Sequence, residues 1–231
     1  MKIESGEIQD LSNVKIVTNE SYIQASNHLA NGQNAQAGKK LIEALESGLR
    51  NPFLYLRLTE EYLKVGNYSK ANELNQKTLE ILNSDKIEVV FQNEIQLIGN
   101  NRNDIIANAY THKATLHLVN KELKEAKVSI SKALELHSKE RNGIARDISG
   151  RIAIEEGEFE QAISIYRSLI VDAPKHVLAK FYLGKALVKN GKHDEGSTIL
   201  KQFVGITPPI HPLAKEANQI LQTLSNDKAS K

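Results

Sequence analysis

The residues best suited to chemistry in this sequence lie between positions 178 and 189. Leu178, Phe181, Tyr182, Lys185 and Lys189 stand three, four, seven and eleven positions from the first of them, which places them on one stripe of a helix. Aromatic rings beside ammonium groups make a surface that can hold an extended or helical peptide and pair with its carboxylates. The competing reading of the same stripe is structural, with Tyr182 in the core and the lysines solvating the helix. Catalytic and metal-binding patterns fit less well. The seven histidines (28, 112, 117, 137, 176, 193 and 211) form no HExxH or other close ligand spacing. His112 and His117 are five apart and fall on different helix faces. There is no phosphate loop, no GxGxxG and no GxSxG, and the acidic pairs Glu60-Glu61 and Glu155-Glu156 fall near helix ends, where solvation accounts for them. The reading is therefore a non-enzyme with no cofactor and no metal.

The elements that must position such a stripe recur. Asn31-Gly32, Val65-Gly66, Glu156-Gly157 and Asn190-Gly191 each sit between two helix-like runs, and both Gly32 to Gly66 and Gly157 to Gly191 span 34 residues. Five positions after each glycine stands a small residue: Ala37, Ala71, Ala162 and Gly196. A further copy, Asn120-Lys121-Glu122-Leu123-Lys124-Glu125-Ala126, lacks the glycine and keeps the rest. Seven positions before the turn stand Ala25, Ala114, Gly150 and Gly184, with Thr59 a partial exception. Two antiparallel helices approach closely only where side chains are small, and glycine supplies the left-handed conformation that ends the first of them. No single pair can bury its apolar face alone, so stacking must complete the core.

This pattern resembles the tetratricopeptide repeat family. The fullest matches are Tyr55, Leu58, Tyr62, Gly66-Asn67-Tyr68 and Ala71, and Leu183-Gly184, Leu187, Gly191, Gly196, Phe203 and Pro208. Pro174 and Pro208 close two units where the family commonly has proline. The family's first-helix tryptophan is absent, and Gln24, Lys113 and Ser149 replace a usual leucine. The resemblance implies an all-α, right-handed superhelical solenoid of helix–turn–helix repeats at about 18–51, 52–85, 107–140, 143–176 and 177–210. It also implies a non-catalytic scaffold whose first helices line a groove. Residues not needed for packing on those helices become the binding candidates: Phe53, Arg57, Glu60 and Lys64; Asn108, Thr111, His112 and Thr115; Asp147, Arg151 and Glu155; and the stripe at 178–189. The lysine–asparagine carboxylate clamp of some family members is not matched, since its positions hold Tyr22 and Ser26, Leu56 and Glu60, or Thr111 and Thr115.

The remaining segments interrupt or end the array. Residues 1–17 read as a tail or lead-in with one apolar patch (Val14, Ile16, Val17). Residues 86–106 read as an extra helix and a polar turn, a hinge or a degenerate repeat, with a capping-box-like start at Asp85 and Glu88 and a stop at Gly99-Asn100-Asn101. The alternative is a kinked extension of the preceding helix. Residues 211–225 read as a helix capping the last repeat, with Leu213, Ala217, Ile220, Leu221 and Leu224 inward, and 226–231 as a frayed tail.

Composition bounds the rest. Hydrophobic residues are 40%, charged residues 25% and aromatics 5% of the 231, which suits a folded, mainly aliphatic core. The absence of cysteine excludes disulfide scaffolds and thiol catalysis. A net charge of +2 gives no reason to expect nucleic acid. It divides as −2 over residues 1–103 and +4 over 104–231, a mild bias toward an acidic partner for the second half. No apolar run approaches the roughly 20 residues needed to span a bilayer, so no membrane insertion is expected, and the N-terminus has no signal-peptide pattern, which points to the cytoplasm. The expected partner is a protein or peptide. Self-assembly, with one protomer's terminal segment in a neighbour's groove, is the alternative.

Overall fold

The structure, a computed structural model, describes residues 14–84, 86–137 and 142–229, with backbone alone at 95–97, 99–101 and 227–229. The tail expected over 1–13, the helix start at Asp85 and residues 230–231 lie outside the described residues. The chain divides into two compact bodies. The first runs to Leu116 and includes Glu135–His137; the second takes His117–Leu134 and the remaining C-terminal chain.

The N-terminal body contains β1 (Val14–Ile16), α1 (Glu20–Ala30), α2 (Asn34–Glu46), α3 (Pro52–Lys64), α4 (Tyr68–Leu82), β2 (Ile87–Val89) and most of α5 (Gln92–Val119). Asparagine starts three of these helices. Asn19 accepts from the Tyr22 amide, Asn51 from Phe53 and Leu54 ahead of Pro52, and Asn67 from Lys70, each satisfying donors that the first turn leaves open. Gly32 and Gly66 take positive φ at the turns within the two pairs, the conformation their sequence position requires. Ala25 with Ala37, and Thr59 with Ala71, are fully buried where each pair crosses.

The middle segment differs from its sequence expectation. Residues 87–89 are extended and pair in parallel with β1, Val14 opposite Ile87 and Ile16 opposite Val89. On its other side the Glu88 amide donates to the Arg50 carbonyl oxygen at 2.9 Å. The helix then begins at Gln92 and continues through Gly99-Asn100-Asn101 without the expected polar turn. Ile98, Ile105 and Ala109, at helical spacing, are buried in one cluster with Ile87, Val89 and Leu82. That continuous apolar face outweighs the propensity penalty of one glycine and two asparagines, about 1 kcal/mol or less each. The start signal is Glu94 rather than Asp85: its carboxylate accepts from the Val90 and Phe91 amides at 2.8 and 3.1 Å.

The C-terminal body contains the end of α5, α6 (Leu123–Leu136), α7 (Gly143–Glu156), α8 (Phe159–Asp172), α9 (Leu178–Lys189), α10 (His193–Ile206) and α11 (Pro212–Ala229). Here glycine makes room where the paired helices cross. A Cβ on Gly150 would lie 2.6 Å from the Tyr166 ring; one on Gly184 would lie 2.7 Å from Leu200 Cγ and 3.2 Å from the Gly196 carbonyl oxygen. The core runs from Ala153, Ala162, Tyr166 and Leu169 to Leu183 and Leu187. A second cluster joins Phe181, Leu200 and Phe203 to Ala214 and Ala217 of α11, which continues past the expected end at 225 to Ala229. Among the described residues no helix is long and apolar enough to cross a membrane.

Candidate functional site

The 178–189 stripe is split by its packing. Adjacent residues on a helix point about 100° apart, so Phe181 and Tyr182 reach different depths, although their rings meet edge to face at 5.0 Å between centroids. Phe181 is fully buried, tilted against Phe203 at 5.4 Å between centroids. It therefore cannot touch a partner as a surface anchor. Leu178 is half-buried against the same cluster. Tyr182 stacks on Tyr166 at 5.7 Å on its other side and is only half-buried. Lys189 is exposed one turn beyond Lys185.

Across from Tyr182 stands α7. The Arg151 guanidinium lies over the Tyr182 ring, 5.4 Å from its centroid. Lys185 Nζ donates to Glu216 Oε1 of α11 at 2.8 Å, and its side chain is 26% exposed. From the α5–α6 turn, Lys121 Nζ donates to Glu155 Oε2 at 2.8 Å, and this bond, with the lysine's charge, holds the Glu155 carboxyl below its ordinary range. Leu118, Val119 and Ile154 supply an apolar wall. Together these groups enclose an open cavity of about 230 Å³. Burial pushes the Tyr182 phenol up, against the lowering effect of Arg151.

Asp147, expected on the same surface, is buried instead. Tyr166 Oη donates to its carbonyl oxygen at 2.9 Å, and burial raises its carboxyl, partly offset by Arg151 and His176. Thr111 is likewise buried, its hydroxyl donating to the Ala107 carbonyl oxygen at 2.9 Å. Asp147 lies on the side of α7 that meets Tyr166 of its own second helix, and periodicity alone does not tell that side from the solvated one.

Arg57 and Lys64 lie on α3, in the N-terminal body. Arg57 pairs with Glu61 at 3.3 Å and approaches Glu60 at 3.8 Å, while Lys64 pairs with Glu61 at 2.9 Å. His112 Nε2 stands 3.9 Å from Glu60 Oε1, too long for a hydrogen bond, and burial lowers the imidazole to about 4 and raises Glu60. Among the described residues no three of His, Cys, Asp and Glu converge as a metal site.

Sequence reasoning missed Lys121 as a site residue, although its signal was present. It occupies the turn position that is glycine in the other copies, and it takes φ 63°, the same left-handed conformation as Gly157 and Gly191 at 80° and 79°.

Comparison with known proteins places this architecture. Residues 153–209 match the tetratricopeptide repeat family model. A search of curated proteins by sequence finds no match. Among solved structures, the Cut9–Hcn1 hetero-tetramer of APC/C matches with TM-score 0.66 at 14% identity, over 88% of this chain and 35% of that one. A thermophilic TPR protein of Thermus thermophilus matches with TM-score 0.56 at 14% identity, over 87% and 97%. YrrB, described as a TPR protein with an unusual peptide-binding site, matches with TM-score 0.52 at 18% identity, over 86% and 90%. At these identities the likeness is one of fold, and it agrees with the repeat match over residues 153–209: the chain has the helical-repeat fold of these tetratricopeptide repeat structures.

Proposed function

We propose that this protein is a non-catalytic scaffold that binds a protein or peptide segment along the row formed by α7 and α9. The observation that carries the reading is the convergence of Arg151, Tyr182 and Lys185 on an open cavity with an apolar wall. Such a surface offers stacking, charge and apolar contact together, the mixture that anchors peptides. The fold class is generally one of protein–protein interaction, and one structural neighbour is described as having a peptide-binding site. The mild positive charge of the second half favours an acidic segment. Self-assembly through a terminal segment is the weaker alternative, because the described part of the N-terminal segment, Val14–Ile16, already pairs with β2 of its own chain.

The test is site-directed photocross-linking in the native host. A benzophenone side chain at exposed Lys189 should yield a protein adduct, while one at exposed Lys201 on α10 should not. Adducts from position 201 with none from position 189 would move the binding surface to the second helices.

A further inference from the structure

We propose that the cavity between the α5–α6 turn, α7 and α9 is a receptor for a single carboxylate carried beside an apolar group, with Arg151 as its anchor and Lys121 as its rim. The proposal rests on the scaffold reading and specifies what that surface recognises.

Three observations carry it. The first is the state of Arg151. Its guanidinium lines the cavity, half-buried and lying over Tyr182; among the described residues it donates no hydrogen bond and closes no ion pair, and only its charge reaches the Asp147 and Glu155 carboxyls, with a lowering effect on both. Five donors in a planar fork match a carboxylate, and hydrogen bonds between ionised partners are about twice as strong as neutral ones. Its neighbours are already committed: Lys185 to Glu216 and Lys121 to Glu155. Asp147, one turn back on α7, is buried and makes no hydrogen bond or ion pair with the guanidinium.

The second observation is Lys121. A lysine in the left-handed region costs about 1–2 kcal/mol that glycine avoids. Its ion pair with Glu155 joins side chains 71% and 39% exposed, and such pairs return about 0–1 kcal/mol. Folding stability therefore does not account for lysine at this turn. Backbone strain held at the mouth of a cavity is a recurrent mark of a binding site. When a carboxylate arrives, the ammonium can share it with Glu155.

The third is the wall. Leu118, Val119 and Ile154 face the same cavity, whose 230 Å³ suits one apolar side chain with its carboxylate. The carboxylate can come from a chain end that follows an apolar residue or from an acidic side chain next to one. Both offer the same group to Arg151.

Nuclear magnetic resonance on the full chain tests this with three small probes. N-acetyl-L-leucine should shift the Arg151 Nε–H and Tyr182 ring resonances in a saturable way, and N-acetyl-L-leucinamide should not. N-acetyl-L-glutamate with its main-chain carboxyl amidated reports the side-chain source. A stronger response to the leucine acid assigns chain ends, and a stronger response to the blocked glutamate assigns acidic side chains. Arg151→Gln should weaken binding about tenfold or more while lowering the melting temperature by only a few degrees, since it gives up the contact with the Tyr182 ring but no hydrogen bond. Lys121→Gly should weaken it about threefold with no loss of thermal stability. Equal shifts from leucine acid and leucinamide, or no shift of Arg151 from either acid, would overturn the inference. A cross-link from position 189 alongside that outcome would leave the scaffold reading intact; carboxylate binding without any cross-link would do the reverse.

Discussion

The two bodies hold similar helix pairs together with different chemistry. In the C-terminal body the contacts are steric: at Gly150 the Tyr166 ring, and at Gly184 and Gly196 side chain and backbone of the facing helix, come so close that a single methyl would collide. In the N-terminal body the corresponding positions are Ala25, Thr59 and Ala71, and the distinctive contact is polar. There the buried Glu94 carboxylate accepts from Tyr22 Oη at 2.9 Å, from Asn51 Nδ2 at 3.1 Å and from two backbone amides. One side chain thus fastens α1, the start of α3 and the β2–α5 junction. A regular repeat can rely on small residues because each copy presents the same face to the next. A junction where a strand interrupts the period has no such face, and a carboxylate with several acceptor sites can join elements that do not share a register.

That contrast is open to breakage at its polar end first. Glu94→Ala would leave four donors, two of them backbone, without their acceptor. A buried donor left unpaired costs about 1–3 kcal/mol, so the N-terminal body should lose more than about 3 kcal/mol, read as a lower urea midpoint. Glu94→Gln should cost less, since it keeps one acceptor oxygen. An unchanged midpoint for the alanine variant would mean that water replaces the carboxylate freely and that the junction is held by Ile87, Val89 and Ile98 instead. The next effect is on pH. Burial holds His112 at about 4 in the folded body against an ordinary value of 6.5. As pH falls, the unfolded chain takes up this proton first, so the contribution present above 6.5 is lost progressively on the way to 4. The loss should reach up to about 3 kcal/mol. His112→Leu should flatten stability across that window; an equally steep profile in the variant would assign the effect to other groups.

These two features also mark where the sequence could and could not be read. The repeat register was legible because it is local: Gly32, Gly66, Gly157 and Gly191 all carry positive φ at the turns where a 34-residue period puts them. The β1–β2 ladder was not, because it joins Val14 to Ile87 across the whole of the first two repeats, and a three-residue strand has no periodicity of its own. The stop signal at Gly99-Asn100-Asn101 failed because a buried face formed by Ile98 and Ile105 overrides local propensity. The candidate site was half legible. Arg151, Tyr182, Lys185 and Lys189 lie where their spacing suggests, whereas Phe181, Asp147 and Thr111 are buried. Helical spacing assigns residues to a stripe about a third of a turn wide, and which edge of the stripe faces solvent depends on how the next repeat crosses it.

The steric end of the contrast should break by a smaller amount. Gly184→Ala places a methyl 2.7 Å from Leu200 Cγ, at the tip of a side chain that can shift, and 3.2 Å from the Gly196 carbonyl oxygen, on a backbone that cannot shift cheaply. Overpacking of this kind costs about 1–3 kcal/mol. Ala162→Leu and Ala71→Leu belong to the same class, the first in the C-terminal body and the second in the N-terminal one. If all three melt as the parent does, the close approach of helix pairs is not what sets the register in either body.

The smallest effect falls at the α5–α6 turn, where the third repeat departs from its siblings. Lys121 and Gly157 hold nearly the same left-handed backbone, φ 63° and 80°. Exchanging the residue types therefore changes strain and leaves the turn geometry alone. Lys121→Gly removes about 1–2 kcal/mol of left-handed strain, loses an exposed ion pair worth about 0–1 kcal/mol, and adds some unfolded-chain entropy. The balance should be a gain of a few tenths to about 1 kcal/mol. Gly157→Lys carries the strain without the partner at Glu155 and should cost about 1–2 kcal/mol. Equilibrium denaturation of the two variants gives the comparison directly. If Lys121→Gly destabilises as much as Gly157→Lys does, the lysine is a structural part of its turn, its conformation is no longer a cost borne for binding, and the argument for Lys121 as the rim of the cavity loses its energetic ground.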